Sequence, residues 1–293
     1  MSETPDSTPE ATPGAAPVTG AAPRADCTID ADGRTVFVLR TPPAAVAGDA
    51  PRLLLRLRPA KGRPAAAEIP VGLAPEPGGA LRGVLGARPA LAEGRWDVYL
   101  LTGTAAPPLR LRPGLRDQRA LVDGYTRDWP SPVAVRVPYT TVDGFLALRA
   151  WLRTAHAEVE AIGTADRSMR VGARLHGASP AGRDDVTVVL RRRDATRPER
   201  EVRARVGSDG RRFSFTVDYG ELASGSPGGG AVWDVFVRAG DAARVRVARL
   251  LDDVADRKEV VVHPAAVVDG VRVRPYYTVD NDLAVEVGAA VRP

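Results

Sequence analysis

Short stretches in which apolar and polar residues alternate recur along the sequence after its first 25 residues. The clearest lie at 35–40, 52–58, 133–137, 185–190, 201–206 and 211–217. Because side chains two positions apart lie on the same face of a strand, each stretch predicts a β-strand with one buried face. Helical turns are predicted only at 113–122 and 250–257. The pattern therefore predicts an all-β protein.

Asp-Gly pairs separate the predicted strands. They begin at Asp32, Asp123, Asp143, Asp209 and Asp269. Glycine adopts the positive φ that a tight hairpin turn requires, so each pair between apolar stretches indicates a turn. Short strands separated by turns at intervals of about 8–12 residues are typical of sandwiches and barrels.

Two motifs occur twice in the chain at the same spacing. Trp96 opens Trp-Asp-Val-Tyr-Leu, and Trp233 opens Trp-Asp-Val-Phe-Val. Pro138 opens Pro-Tyr-Thr-Thr-Val-Asp, and Pro275 opens Pro-Tyr-Tyr-Thr-Val-Asp. In each copy the proline follows the tryptophan at the same distance, so both motifs recur at one common offset. Two separate motifs at one offset indicate an internal duplication.

The duplication predicts two domains of the same fold. We predict two tandem Ig-like β-sandwich domains, with the first repeat at 26–152, a linker at 153–157 and the second repeat at 158–293. A β-barrel of similar size is the alternative for each repeat. Alternation within the repeated motif places Trp96 and Trp233 in the two cores.

The segment 1–25 differs from the rest of the chain. Proline recurs every four positions from Pro5 to Pro17 among threonine, alanine and acidic residues, so this tail is predicted to be disordered. Glu3 and Asp6 stand where a secretory signal carries positive charge. No apolar stretch reaches the ~18 residues of a membrane-spanning helix, and a cytoplasmic location is therefore expected.

Charge and cysteine content exclude some classes of function. The 293 residues contain 41 Lys and Arg against 36 Asp and Glu, a net charge of +5, and only Lys61 and Lys258 are lysines. Because basic and acidic residues are interspersed, nucleic-acid binding is not expected. Cys27 is the only cysteine, which excludes an internal disulfide and a cysteine-based zinc cluster.

No catalytic constellation emerges from the sequence. His156, His176 and His263 lack the spacing of zinc ligands, and packing or surface roles are expected for all three. The glycine-rich segment 225–230 lacks the Lys-Ser/Thr ending of a phosphate loop. The sequence thus predicts no catalytic, cofactor-binding or metal-binding residues.

One motif does suggest a metal site. Asp280-Asn281-Asp282 is similar to the Asp-x-Asp that holds a divalent cation in many glycosyltransferases, and carboxylate oxygens suit such ions. The matching position in the first repeat reads Asp143-Gly144-Phe145, with no second carboxylate. Asparagine and glycine both tolerate positive φ, so a hairpin turn is the preferred interpretation.

Arginines that alternate with apolar residues are the remaining candidates for ligand binding. Two such pairs, Arg110 with Arg112 and Arg272 with Arg274, and the unrepeated Trp129 are the candidate ligand-surface residues. Guanidinium groups bind phosphate or carboxylate through paired N–H donors, which suits an anionic polymer. A solvated outer sheet face is nevertheless the preferred interpretation for the arginines, and packing near the linker is the preferred interpretation for Trp129.

Residues 271–285, Val-Arg-Val-Arg-Pro-Tyr-Tyr-Thr-Val-Asp-Asn-Asp-Leu-Ala-Val, and the strand from Trp233 carry a family resemblance. They resemble the tandem Ig-like β-sandwich accessory modules of actinobacterial, streptomycete-type cell-wall glycopolymer glycosyltransferases and CDP-glycerol glycerophosphotransferases. The resemblance covers roughly 26–289, and stand-alone chains of this type are often called transferases. Neither catalytic domain of those enzymes is recognisable, so the resemblance implies no catalytic residues.

These observations lead to one functional hypothesis and two alternatives. The hypothesis is a non-catalytic protein that assists a cell-wall glycopolymer transferase of the teichoic-acid type, by polymer binding or assembly. Its expected partners are that transferase or an anionic glycopolymer. The first alternative is a transferase with a site not visible in the sequence, using Asp280 and Asp282. The second is a purely structural protein-interaction module.

Overall fold

The computed structural model describes residues 22–42, 51–59, 67–103, 106–124, 128–177, 186–194, 199–226, 230–240 and 242–289. Over these ranges the secondary structure is nearly all β, with 56% of residues in strands and 6% in helices, and the strands form two sheets, one from each repeat. The all-β prediction is confirmed. The predicted tail lies outside the described residues as far as residue 21, and Arg24 and Ala25 belong to the first strand.

The first repeat contains ten of the described strands, one short α-helix and a 3-10 turn at Pro77–Gly79. They are β1 (Arg24–Ile29), β2 (Thr35–Leu39), β3 (Arg52–Leu57), β4 (Glu68–Pro75), β5 (Leu81–Leu85), β6 (Gly94–Leu101), β7 (Leu109–Arg110), β8 (Arg112–Asp117), α1 (Arg119–Asp123), β9 (Val133–Thr140) and β10 (Leu146–Arg153).

The strand order of this repeat is β8-β1-β2-β5-β4-β3-β6-β10-β9, with β7 beside β6. Strand β4 joins the two halves of the sheet, β8-β1-β2-β5 and β3-β6-β10-β9. Its residues 68–72 pair with β3, and its residues 73–75 pair with β5. Strand β8 pairs with β1 in parallel, so the last part of the repeat lies beside its first strand. Alternate side chains from both halves form one core, which includes Trp96 and the free, fully buried Cys27.

The second repeat contains eleven of the described strands and one short helix. They are β11 (His156–Thr164), β12 (Ser168–His176), β13 (Val186–Arg192), β14 (Arg200–Arg203), β15 (Arg205–Val206), β16 (Arg212–Asp218), α2 (Tyr219–Ser224), β17 (Ala231–Ala239), β18 (Val245–Ala248), β19 (Ala266–Val268), β20 (Val271–Tyr277) and β21 (Leu283–Ala289).

The second repeat follows the connectivity of the first, except that β14 and β15 replace the single β4 and that an edge strand, β19, is added. Its order is β15-β16-β12-β11-β18-β17-β21-β20-β19, and β13 pairs with both β17 and β14. Strand β18 pairs antiparallel with β17 and parallel with β11, just as β7 and β8 pair with β6 and β1. Trp233 and Trp96 are each 1% exposed in their cores, which confirms their predicted role.

The two repeats meet in a shared apolar cluster. Only Thr154 and Ala155 separate β10 from β11. Trp129 and Trp151 of the first repeat contribute to the cluster, and Leu250 and Leu251 of the second repeat complete it with their neighbours. The domain boundaries at 152 and 158 and the Ig-like character of each repeat stay predictions. No helix among the described residues is long and apolar enough to cross a membrane.

Candidate functional site

Arg110 and Arg112 both contact one aromatic ring. The guanidinium carbon of Arg110 is 4.2 Å from the ring centroid of Phe145, and that of Arg112 is 5.2 Å away. Arg110 also donates to Asp97 Oδ1 at 3.0 Å. Arg112 has no ion-pair partner among the described carboxylates. We call Arg110, Phe145 and Arg112 the arginine–aromatic surface.

Arg272 and Arg274 share a single carboxylate on the neighbouring strand. Arg274 Nη2 lies 3.0 Å from Glu286 Oε2, and Arg272 Nη1 lies 3.6 Å from the same oxygen. Two guanidinium groups against one carboxylate leave surplus positive charge at a partly exposed position. The two arginine pairs belong to different sheets, so each repeat contributes its own.

Trp129 lies in the shared apolar cluster rather than on the open surface. It is 7% exposed and packs in that cluster with Trp151. One side of Trp129 lines a cavity of about 260 Å³, whose wall also includes Arg136 and Arg88. The candidate is therefore a buried aromatic wall of a cavity and not an exposed platform.

Arg136 also lines this cavity, although it was not among the candidate residues predicted from the sequence. It is 6% exposed, and its guanidinium donates to the carbonyl oxygens of Gly86 at 2.7 Å and of Ala87 and Pro89 at 3.2 Å. No described carboxylate lies within ion-pair distance, and burial lowers its pKa to about 10. The duplication could have indicated that Arg136 is buried, because the equivalent position of the second repeat holds valine, and this Val273 is buried.

The Asp280-Asn281-Asp282 segment forms a turn that binds the two repeats together. Asn281 has φ +60°, and Gly144 in the equivalent turn has φ +80°, which confirms the hairpin interpretation. Asp280 accepts from Arg149 at 2.6 Å. Asp282 lies 2.8 Å from Arg153 of the first repeat and 3.0 Å from Arg246 of the second.

These contacts bear on the metal-site alternative. Both carboxylates of the segment are neutralised by guanidinium groups, and ion pairing of this kind competes with coordination of a cation. Across the described parts of the chain, no group of three or more potential metal ligands comes together. We call Arg149, Arg153, Asp280 and Asp282 the junction clasp.

A second cavity, of about 590 Å³, lies beside the junction clasp. Its wall includes Glu93 and Arg153 from the first repeat and Arg246 and Asp282 from the second. Arg153 contacts Glu93 as well as Asp282, and Arg246 contacts Asp234 as well as Asp282. These four charged groups therefore pair with one another, and Arg244, which also lines the cavity, pairs with Glu199 outside the lining.

A buried histidine pair supports the junction from within β11 and β12. His156 Nε2 lies 2.6 Å from Glu158 Oε2, and that carboxylate accepts the backbone N–H groups of Leu250 at 2.8 Å and Leu251 at 3.2 Å. His176 stacks on His156 with ring centroids 6.3 Å apart. Burial, assisted by the neighbouring His156, lowers the pKa of His176 to about 4. Both rings are fully buried, as the packing interpretation predicts.

Comparison with known proteins gives structural similarity alone. No protein-family model matches the chain, and no curated protein matches it. Among solved structures, the chain is similar to S. aureus TarS, a teichoic-acid glycosyltransferase, with TM-score 0.37 and 13% identity over 69% of this chain and 29% of TarS. A TarS fragment spanning 217–571 gives TM-score 0.38 and 14% identity over 67% of this chain and 45% of the fragment.

A third solved structure comes from another kind of protein. The FN1–FN3 domains of chicken CNTN1 give TM-score 0.19 and 9% identity over 77% of this chain and 63% of that one. The chain spans less than half the length of either TarS structure.

Proposed function

We propose that the chain is a non-catalytic tandem β-sandwich protein that assists a cell-wall glycopolymer transferase by binding its anionic polymer. The observation that carries the proposal is the arginine–aromatic surface, where Phe145 holds Arg112 in place without a carboxylate partner among the described residues. The sequence resemblance of residues 271–285 supports the class of polymer.

The chemistry of the surface suits a chain of phosphate or carboxylate groups. A guanidinium presents paired N–H donors that match an oxyanion, and an aromatic face holds it by cation–π attraction. Arg272 and Arg274, with their single carboxylate, offer a second cationic position in the other repeat. Two weak sites on one chain bind a polymer more tightly than either site alone, because the second contact is intramolecular.

A binding titration tests the proposal. The probe is poly(glycerol phosphate) at low salt, with the full chain and the variants Arg112→Gln and Arg272→Gln/Arg274→Gln. We expect each variant to weaken binding about tenfold, the loss of one charge-assisted hydrogen bond of about 1.4 kcal/mol. Arg119→Gln is the matched control, because Arg119 is 85% exposed and pairs locally with Asp117. Equal affinity in all four proteins would contradict the proposal.

The catalytic alternative is tested separately by thermal denaturation. The full chain is heated with CDP-glycerol or UDP-sugars in the presence of Mg²⁺ or Mn²⁺. A ligand that binds only the folded state raises the melting temperature by mass action. We expect no rise with any nucleotide, and a rise that Asp280→Ala/Asp282→Ala abolishes would restore the transferase interpretation.

The protein-interaction alternative is favoured by one observation. Strand β19 lies at the edge of the second sheet, and its Val267 is 67% exposed. An open strand edge can pair with a strand from another chain. If poly(glycerol phosphate) does not bind and Val267→Lys abolishes a stable complex with a transferase chain, this alternative replaces polymer binding.

A further inference from the structure

The cavity beside Trp129 contains a cation whose charge the described residues leave uncompensated. Buried charges in proteins are normally paired, because the interior solvates them poorly. Arg136 is only 6% exposed, yet its three hydrogen-bond acceptors are neutral carbonyl groups. An anion that entered the cavity would supply the missing countercharge.

The other charged groups of the cavity leave this surplus in place. Asp32 lines the same cavity, but its carboxylate lies 3.0 Å from Arg34 and is 71% exposed. Arg88 adds a second cation to the lining. The described lining therefore has two guanidinium groups and one carboxylate that already has a partner.

Arg136 also has hydrogen-bonding capacity left for a ligand. A guanidinium has five N–H donors, and the three carbonyl groups take three of them. The remaining two are on Nη1 and Nε. Each of them can donate one separate hydrogen bond to an oxyanion.

The size and lining of the cavity limit what else the ligand contains. At about 260 Å³ it lies just below the range of about 300–1,000 Å³ typical of small-molecule pockets, so it accommodates one small unit and not a length of polymer. The indole of Trp129 provides a flat apolar wall, and such rings pack well against the C–H groups of polyols and sugars. Ala87, Ala90 and Ala134 keep the rest of the lining small.

We infer that the Trp129–Arg136 cavity binds a small oxyanion carried on a polyol or sugar unit, with Arg136 holding the anionic group and Trp129 the carbon skeleton. The arginine–aromatic surface is not part of this cavity, so the inference stands whether or not that surface binds polymer.

Indole N–H resonances of the full chain test the inference directly. The chain has four tryptophans, and Trp129→Phe identifies the resonance of Trp129. Four probes separate the two parts of the ligand: glycerol phosphate, gluconate, inorganic phosphate and glycerol. We expect saturable shifts of the Trp129 resonance with the first two, at least tenfold weaker binding of inorganic phosphate, and no shift with glycerol.

Two variants assign the anion contact. Arg136→Gln is expected to weaken glycerol phosphate binding at least tenfold, and Arg88→Gln, at a less buried position, keeps the test valid if Arg136→Gln fails to fold. Arg88→Gln is expected to weaken binding two- to fivefold, whereas Arg119→Gln leaves it unchanged. Unaltered affinity in a folded Arg136→Gln, or in Arg88→Gln if that variant alone folds, overturns the inference. So does a Trp129 resonance that no anion shifts, and inorganic phosphate that binds as tightly as glycerol phosphate overturns the polyol contact.

Discussion

At the scale of single residues, one position of the duplicated turn has taken two different roles. In the first repeat the ring of Phe145 contacts two guanidinium groups. The equivalent residue of the second repeat is Asp282, which is 6% exposed and lies between Arg153 and Arg246. Phe145 contacts its two arginines through its ring, whereas Asp282 pairs with its two arginines through its charge. Arg112 beside the ring keeps no carboxylate partner among the described residues, although Arg110 also pairs with Asp97, whereas the Asp282 carboxylate pairs with both of its arginines.

His176 makes the stability of the fold depend on pH. Its pKa is about 4 in the folded chain against 6.5 unperturbed, so only the unfolded chain takes up a proton between these values. Its contribution is therefore complete above about pH 6.5 and declines as pH falls towards 4. The full effect is about 3 kcal/mol. We expect His176→Phe to remove this part of the dependence, measured by urea unfolding at pH 7.5 and pH 4.5.

The same variant gives a sharp comparison at neutral pH. Neither ring nitrogen of His176 has a hydrogen-bond partner among the described residues, so phenylalanine replaces it without loss of a bond. The unfolding free energy at pH 7.5 is expected to stay within about 1 kcal/mol of the parent value. Parallel pH profiles for the two proteins would show that His176 does not titrate as argued.

Sequence reasoning succeeded for residues whose role is set locally and failed where the partner is remote. Alternation alone placed Trp96 and Trp233 in the cores. The residues near Glu158 in the sequence do not predict that its carboxylate accepts the backbone N–H groups of Leu250 and Leu251, which are 92 and 93 residues away. Arg136 was missed for the same reason, since its three acceptors lie 47 to 50 residues earlier.

At the scale of elements, most turns were predictable and the short helices only in part. The helical turn predicted at 113–122 is confirmed over 119–122, where α1 lies, whereas 113–117 belong to β8, and the hairpin turn predicted at Asp123 is wrong, because Gly124 has φ −84° and ends α1. Asp-Gly and Asp-Asn turns depend on backbone preferences of the residues themselves, and Gly144 and Asn281 adopt positive φ as expected. The helical turn predicted at 250–257 is absent, and the N–H of Arg257, which a helix would pair internally, donates instead to the remote side chain of Asn281. The helix α2 was missed, although Asp218 caps it by accepting the N–H of Gly220 at 2.6 Å.

Asn281 combines a backbone role and a side-chain role that substitution can separate. Its side chain accepts from the N–H of Arg257 at 3.0 Å and donates to the carbonyl of Val254 at 2.9 Å. Asn281→Gly keeps the positive φ and loses both bonds, at a cost of about 2 kcal/mol. We expect Asn281→Ala to cost about 1 kcal/mol more, because alanine disfavours this conformation. Urea unfolding measures both.

A glycine turn elsewhere in the second repeat provides the control. Gly210 has φ +68°, and a Cβ placed there would meet no atom within 4 Å. Gly210→Ala therefore isolates the backbone cost of about 1 kcal/mol. If Asn281→Gly were as stable as the parent, the hydrogen bonds to Val254 and Arg257 would contribute nothing.

At the scale of the whole molecule, the duplication was visible in the sequence and the contact between its copies was not. The common offset of the two repeated motifs predicted two similar repeats. The parallel pairing of β1 with β8 and of β11 with β18 joins strands far apart in the chain, which no local pattern encodes. The junction clasp likewise joins residues that are remote in sequence, from Arg149 to Asp280 and from Arg153 to Asp282.

The junction clasp is expected to couple the two repeats energetically. Asp282→Ala leaves Arg153 and Arg246 short of a buried partner, and such a loss costs about 3 kcal/mol. Asp143→Ala, in the equivalent turn of the first repeat, is the control, because Asp143 is 75% exposed and its substitution changes stability by less than about 0.5 kcal/mol. Urea unfolding of both variants measures the difference.

A double-mutant cycle then isolates the contact between repeats. Combining Asp282→Ala with Arg153→Met should give a coupling energy of about 1–3 kcal/mol. Strictly additive effects of the two substitutions would mean that the ion pair at 2.8 Å does not connect the repeats.

The single cysteine, Cys27, allows the opening of the first repeat to be followed by chemical labelling. Cys27 is fully buried between β2 and β8, and burial raises the pKa of its thiol, so a thiol reagent reacts only after this part of the first repeat opens. The second repeat contains no thiol. The rate of labelling in dilute urea therefore reports the opening of the first repeat within the intact chain. The loss of total secondary structure reports the unfolding of both repeats. A junction variant that accelerates labelling would show that loosening at the junction clasp also opens β1, whose Ile29 belongs to the shared apolar cluster.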